Sequence, residues 1–348
     1  MHRVLHCAVV AGMTAAVCAT VTAQAAPTPP SITVMTRNLY LGADLTPLAT
    51  ALTTADQAQR AADVFRQVQA TDFGARAKLL AAEIAAAGPD LVGLQEVALW
   101  RTGDVGVLDG TRTPATHVAY DFLGLLQTEL AALSQNYEVA VTEQGFDAEV
   151  STALGYDVRF TTGDAILVKR GSVTINKRSK GLFKTFLTIP TVSGPMLDRR
   201  GWTAVDATKN GRMFRFINTH LDSTLGPIRV SQATELTTGP AATWQRVVLV
   251  GDLNATPNEI LFPAYKVLIG AGFRDAWTAT HGTEPGFTCC NASDLMGPNT
   301  FTQRIDHVLS RPALPATNTY RTGIDPSERT PAGEWPSDHA GVVATFRL

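Results

Sequence analysis

Cysteine is scarce: four in 348 residues. Cys7 and Cys18 fall in an N-terminal stretch expected to be removed, which leaves Cys289 and its neighbour Cys290. Adjacent Cα atoms across a trans peptide lie about 3.8 Å apart, short of the roughly 4.4–6.8 Å of an ordinary disulfide. A conventional staple is excluded; a vicinal disulfide and two thiols both stay open. A zinc centre takes about four ligands, and only His281 is near in sequence. The fold is expected to stand on its core.

Positive charge is not in excess either. Lys and Arg total 29 against 31 Asp and Glu, a net charge of −2, with no dense basic run. That excludes a basic coat for nucleic acid but not an enzyme with a local basic site. After the first two dozen residues no stretch nears the ~18 apolar residues of a membrane span. No repeat and no Pro/Ser linker divides the chain. What is present is apolar material at 45% of residues, enough for a core, with 28 Gly and 19 Pro for loops.

Residues 1–25 have the order of a secretory signal peptide. Met1-His2-Arg3 is positive, Val4 to Val21 is apolar or small, and Ala23-Gln24-Ala25 is a small-x-small cleavage signal. A secreted, extracellular protein is expected, a monomer whose single domain covers 26–348. Leu314 to Asn318 faintly resembles a sorting signal but lacks an apolar tail, and reads as a loop.

Apolar runs and helical stripes then alternate. Strands are expected at Ile32–Met35, Asp90–Val97, Tyr137–Val141, Ala165–Lys169, Gly201–Asp206, Met213–Thr219, Arg246–Val250, Ile305–Leu309 and Gly341–Phe346. Helices are expected at Asp56–Ala87, stopped by Gly88-Pro89, and at His117–Leu133, Pro227–Thr237 and Asn258–Ile269. Long loops fall at Thr102–Thr116, Gly181–Pro195, His281–Thr300 and Ala313–Pro336.

Polar residues cluster where these strands begin or end. Asn38 follows the first, Gln95-Glu96 the second, Asn218-Thr219-His220 and Gly251-Asp252-Leu253-Asn254 two later ones; Ile305-Asp306 and Ser337-Asp338-His339 open the last two. An Asp-x-Asn alone is usually a turn and a lone His a surface or core residue. Six such marks in this order are hard to obtain as turns.

In these marks, from Asn38 to His339, the chain resembles the endonuclease/exonuclease/phosphatase superfamily, which includes DNase I-like nucleases, sphingomyelinases and inositol polyphosphate phosphatases. The resemblance implies an α/β fold: a four-layer α-β-β-α sandwich, two mixed β-sheets face to face with helices outside. It also implies a metal-dependent phosphodiesterase. Phosphodiester hydrolysis needs a positioned water, a base and compensation of phosphoryl charge, and carboxylate and amide oxygens suit Mg²⁺, with Mn²⁺ or Ca²⁺ as alternatives. On this reading Asn38, Glu96 and Asp338 face the metal. Asp252 orients and deprotonates the water, Asn254 holds it or the phosphate, and His339 donates to the phosphate with Asp306 behind it. His220 contacts a second phosphate oxygen. Water attacks directly, without a covalent intermediate. For Asn38, capping of its own loop is the competing reading.

Two departures stand out: Arg37 where the family often has an aromatic, and Leu253 for a commoner Phe. Asp222 reads as approaching the site or as a solvated turn, and His307 as structural. His117 and His281 carry no assignment, and the pairs Arg199-Arg200 and Lys177-Arg178 read either as phosphate contacts or, more simply, as solvated faces. Substrate choice stays open between a phospholipid or sphingomyelin-type phosphodiester and a nucleic acid, the latter making the protein a DNase I-like endonuclease; a non-catalytic binding or toxin subunit is the third reading. Trp100, Leu108, Phe287, Leu295, Met296 and Trp335 in loops suit a lipid, or tuck against the body.

Overall fold

The computed structural model describes residues 30–106 and 114–348. The signal-peptide stretch and Leu108 lie outside these residues.

The described chain runs β1 (Ser31–Asn38), α1 (Thr46–Ala49), α2 (Thr54–Ala70), α3 (Phe73–Ala87), β2 (Leu91–Gln95), β3 (Leu99–Gly103), β4 (His117–Asp121), α4 (Phe122–Ala132), β5 (Tyr137–Ser151), β6 (Asp157–Lys169), β7 (Thr174–Leu182), β8 (Leu187–Ile189) and β9 (Met196–Asp198). It continues with β10 (Gly201–Lys209), β11 (Arg212–His220), α5 (Gly226–Thr238), β12 (Arg246–Asp252), α6 (Ala264–Gly270), β13 (Arg274–Asp275), α7 (Ala276–His281), β14 (Asp306–Arg311), β15 (Ala316–Thr322) and β16 (Gly341–Arg347).

The strands form two large mixed sheets. The first has eight strands, ordered β15-β16-β1-β2-β6-β3-β4 with β5 also on β6; the second has six, ordered β13-β14-β12-β11-β10-β7. Within them β1–β2 and β11–β12 are parallel. Side chains alternate between faces along a strand, so the central strands are apolar on both. Val248 and Val250 of β12 meet Ile32, Val34 and Leu91 of the first sheet in the core between the sheets. Val247 and Leu249 face the other way, into a core with Leu236 of α5 and Leu268 of α6. Likewise Val92 and Leu94 of β2 pack outward against Phe65 of α2, Leu80 of α3 and Leu126 of α4. The result is helix, sheet, sheet, helix, the expected four layers. At Gly93 the sheets come so close that a Cβ would lie 2.5 Å from Val250 Cγ2 and 2.6 Å from Asn218 Oδ1.

Several expected elements are corrected. The Ala-rich stretch is two helices, not one. Thr71 ends α2, and Asp72, whose carboxylate accepts from Ala75 N at 3.2 Å, caps α3; competing side-chain caps are what break helices at such residues. As expected, α3 stops at Gly88, left-handed at φ 56°. The helix expected from His117 begins only at Phe122, capped by Asp121, because His117–Asp121 adds β4 to the sheet edge. The helix expected from Asn258 starts at Ala264. The loop Gly181–Pro195 contains β8, and Ala316 onward, read as loop, is β15.

Candidate active site

Strand ends carry the site. Parallel pairing brings the C-terminal ends of β1 and β2 together, with Asn38 opposite Gln95. It does the same for β11 and β12, with His220 opposite Asp252. Antiparallel β14 then sets Asp306 opposite Asp252, and the chain entering β16 supplies Ser337, Asp338 and His339. All six sequence marks therefore meet at one rim of the sandwich, the place where open α/β sheets bind ligands.

Two asparagines stitch the sheets together beneath that rim. Asn38 Nδ2 donates to Asp252 Oδ2 at 3.2 Å, and Asn38 Oδ1 accepts from Tyr40 N at 2.9 Å. Asn218 Nδ2 donates to the carbonyls of Leu94 and Ala165, and its Oδ1 accepts from Gln95 Nε2. Glu96, at φ 55°, turns its Oε2 to accept from Leu41 N at 2.8 Å. Asn254 also has positive φ, 48°. Such backbone costs on the order of 1–3 kcal/mol in a non-glycine residue and gathers at functional sites.

Asp252 is central. Its Oδ1 accepts from Asn254 N at 2.9 Å, and its Oδ2 lies 3.4 Å from His220 Nε2 and 3.8 Å from His339 Nε2. Burial, and then the Asp306 carboxylate, push it up to about 7. Burial pushes Asp338 up to about 6 and raises Glu96. His339 Nδ1 sits 2.8 Å from Asp306 Oδ2. Burial disfavours the His339 cation, but the carboxylates of Asp306, Asp338 and Asp252 outweigh it and raise this imidazole well above its ordinary value. His220 goes the other way. Burial, then the Arg200 charge, hold it well below. Arg200 Nη1 lies 2.9 Å from His220 Nδ1, and a guanidinium only donates, so Nδ1 accepts and the single proton of a neutral ring is on Nε2.

Arg200, for which a solvated face was the simpler of two sequence readings and a phosphate contact the other, belongs to the site. It precedes β10, whose Trp202 pairs with Thr219, and that register carries it to His220. Asp164 in β6 was missed; burial raises it well above the carboxylate range. Asp222 is a turn, as one reading had it, but a buried one: its Oδ1 accepts from Thr224 N and Leu225 N while its Oδ2 is buried without a partner. His307 is structural, with Nε2 3.0 Å from Ala255 O. His117 lies at the surface and His281 stacks on Trp277.

The donor set suits a metal. Asp252, Asp306 and His339 offer ligand atoms all within 4.8 Å of one another, a candidate divalent-metal site. Glu96 and Asp338 bring further carboxylates, and Asp306 Oδ1 is buried without a partner. Oxygen-rich, mutually repelling donors fit a hard cation. Cys289, Cys290 and His339 also have their ligand atoms within 4.8 Å of one another. The two sulfurs are placed against each other as a vicinal disulfide.

The endonuclease/exonuclease/phosphatase family profile matches residues 58–339. The chain belongs to this family. No curated protein matches it. Among solved structures, humanized TDP2 of D. rerio is 17% identical at a TM-score of 0.55, covering 91% of this chain and 99% of that one. A family protein from Bacteroides thetaiotaomicron is 19% identical at 0.55, covering 91% and 98%. A mannosyl-6-phosphatase of that bacterium is 18% identical at 0.52, covering 91% and 100%. At these identities the likeness shows the fold. The expectation of a secreted, extracellular protein is not upheld: the solved structures the chain matches are TDP2 chains and family proteins. No helix among the described residues is long and apolar enough to cross a membrane.

Proposed function

We propose that this family member is a divalent-metal-dependent phosphodiesterase, formed by one domain over residues 26–348, that hydrolyses its ester by direct attack of water. The observation that carries the reading is the company around Asp252: a carboxylate pushed up to about 7, flanked by a neutral imidazole at His220 and a cationic one at His339. A base near the working pH, beside a fixed cation, is what attack on a phosphoryl anion requires.

Glu96, Asp338 and Asn38 would hold the metal, with Mg²⁺ the best match to oxygen donors. We prefer them to the Asp252–Asp306–His339 set because Asp252 and His339 are the groups assigned to the water and the phosphate, with Asp306 bonded to His339. When bound, the ion supplies charge compensation on the phosphoryl oxygens and acidifies water. Asp252 orients the attacking water and takes its proton. Asn254, whose Nδ2 donates to Leu221 O at 3.0 Å, holds the water or the phosphate. His339 donates from Nε2 to a phosphoryl oxygen while Asp306 keeps its proton on Nδ1. Arg200 and His220 meet a second oxygen.

The substrate is a phospholipid or sphingomyelin-type phosphodiester or a nucleic acid. The ground for naming the second is one neighbour, a D. rerio TDP2 complexed with a single-strand DNA product. The test gives purified protein plasmid DNA, RNA, sphingomyelin, phosphatidylcholine and bis-p-nitrophenyl phosphate with Mg²⁺, Mn²⁺, Ca²⁺ or EDTA. Cleavage of at least one, lost in EDTA, is expected. No cleavage, or full activity once residual metal is shown absent, overturns the reading.

A further inference from the structure

A cleft of about 660 Å³ opens beside the site, within the size range of small-molecule pockets. At one end it is lined by Glu96, Asp338 and Arg200. Apolar side chains make up most of the rest, with hydroxyl and amide groups and the carboxylates of Asp44 and Asp198 among them. Trp100, Val158 and Phe160 from β3 and β6 form the floor, while Leu187, Ile189 and Met196 of the β8–β9 hairpin face them. The hairpin is held in place from two sides. Ser193 Oγ at its tip donates to Gln57 Oε1 of α2, and the main-chain N–H groups of Lys184 and Thr185 before it donate to Glu235 of α5 at 2.8 and 3.0 Å.

Charge in the lining discriminates between occupants. Among the described residues the cleft carries one cation, Arg200, against four carboxylates, Asp44, Glu96, Asp198 and Asp338. A polyanion threaded along it would meet repulsion, since nucleic-acid tracks need several cations and stacking platforms together. A single phosphoryl group at the Arg200 end, followed by an uncharged apolar segment, meets one cation and then hydrocarbon. Trp100 is not open for base stacking, because it is buried, with its ring packed on Phe160 at 4.3 Å.

We infer that the cleft walled by β3, β6 and the β8–β9 hairpin is a subsite for an apolar arm of the substrate, so that the favoured ester is an amphiphile with one phosphoryl group and an extended hydrocarbon chain. This rests on the phosphodiesterase reading. Each methylene moved from water into such a lining contributes about 0.8 kcal/mol, about fourfold.

The experiment uses p-nitrophenyl phosphodiesters whose second group is methyl, butyl, octyl or dodecyl, as monomers below their micelle-forming concentrations. With wild-type protein and Mg²⁺, kcat/KM rises up to about fourfold per methylene and levels off once the cleft is filled. Ile189→Asp, and independently Met196→Ser, cut the octyl-to-methyl ratio at least tenfold, whereas Ile189→Leu keeps it; a ratio within one protein is insensitive to how much of it is folded. Equal kcat/KM for methyl and dodecyl esters in wild type overturns the subsite. So does an oligonucleotide cleaved with higher kcat/KM than the dodecyl ester. If no ester is hydrolysed, the phosphodiesterase reading fails separately. Calorimetric titration with methyl and dodecyl phosphate then decides the cleft: tighter dodecyl binding that Ile189→Asp abolishes supports it, and equal affinities overturn it.

Discussion

Arg37, next to last in β1, donates to the main-chain oxygen of His339, and its Nη2 pairs with Glu83 of α3 at 2.9 Å. A second buried guanidinium, Arg76 of α3, donates to the carbonyl of Pro336 at 3.1 Å and of Leu39 at 2.8 Å. The segment from Pro336 to His339 is thus gripped at both ends. Ser337 Oγ completes the hold by donating to Asn38 O and accepting from His339 N. The departure at Arg37 is therefore a support for the imidazole behind which Asp306 stands.

Arg37→Met should destabilise the protein by about 3–5 kcal/mol, because it strands Glu83 as a buried charge. Arg37→Met with Glu83→Leu should recover most of that loss in urea unfolding. It should not recover the rate on bis-p-nitrophenyl phosphate, since the grip on His339 O is still missing. A double variant with wild-type turnover would show that the grip does not matter.

Asp252→Asn and His339→Ala should each lower kcat at least ~10²-fold, the scale of acid–base and electrostatic groups, with little change in unfolding midpoint. Asp306→Asn should fall between them and wild type, because it weakens the His339 cation without removing the ring. Steady-state kinetics on folded protein, checked by circular dichroism, decides this.

Arg200→Ala should raise KM and lower kcat together, as Arg200 meets both His220 Nδ1 and, on our reading, the phosphate. Arg200→Lys should not restore the wild-type rate, because a flexible ammonium does not reproduce a planar fork of donors. Recovery by lysine would reduce Arg200 to a point charge.

Chelation should abolish hydrolysis reversibly. Dialysis against EDTA, then return of Mg²⁺, should remove and restore activity, while Glu96→Gln should demand a higher Mg²⁺ concentration for half-maximal rate. An unchanged Mg²⁺ dependence in Glu96→Gln would move the metal away from this carboxylate.

Asp275 gives a prediction about acid stability. Burial pushes its carboxyl up, but His307, Arg304 and their hydrogen bonds outweigh this and hold it well below the usual carboxylate range. A folded pKa below the unfolded value of about 3.9 means stability that is present above that pH and lost as pH falls toward the folded value. Urea unfolding should show Asp275→Asn weaker than wild type at pH 7, by about 3–5 kcal/mol, and the gap should narrow below pH ~4. A constant gap would rule out the ion pair as the source.

Much of this site was legible because its residues stand where apolar runs stop. Val247 to Val250 announces a buried strand, and Asp252 and Asn254 follow at once. Arg200 was not legible. Its place depends on which strand lies beside β10, a long-range pairing that local pattern does not carry. The same applies to β4, an edge strand with exposed His117 and Val118, which local apolar spacing made look helical. The break at Thr71 was hidden by alanines, which favour a helix on either side. Among the aromatic and apolar loop residues, Leu295 and Trp335 tuck against the body beside Tyr40, while Trp100 proves to line the cleft.

The register that sets Asp252 opposite both His220 and Asp306 makes the chemistry a matter of counting. Side chains alternate with a period of two, so inserting one residue inside β12 or β14 would turn a carboxylate to the opposite face. The loops between these strands can lengthen or shorten at small thermodynamic cost. Any redesign of this enzyme has freedom in the loops, in any number of residues, and almost none in the parity of its inner strands.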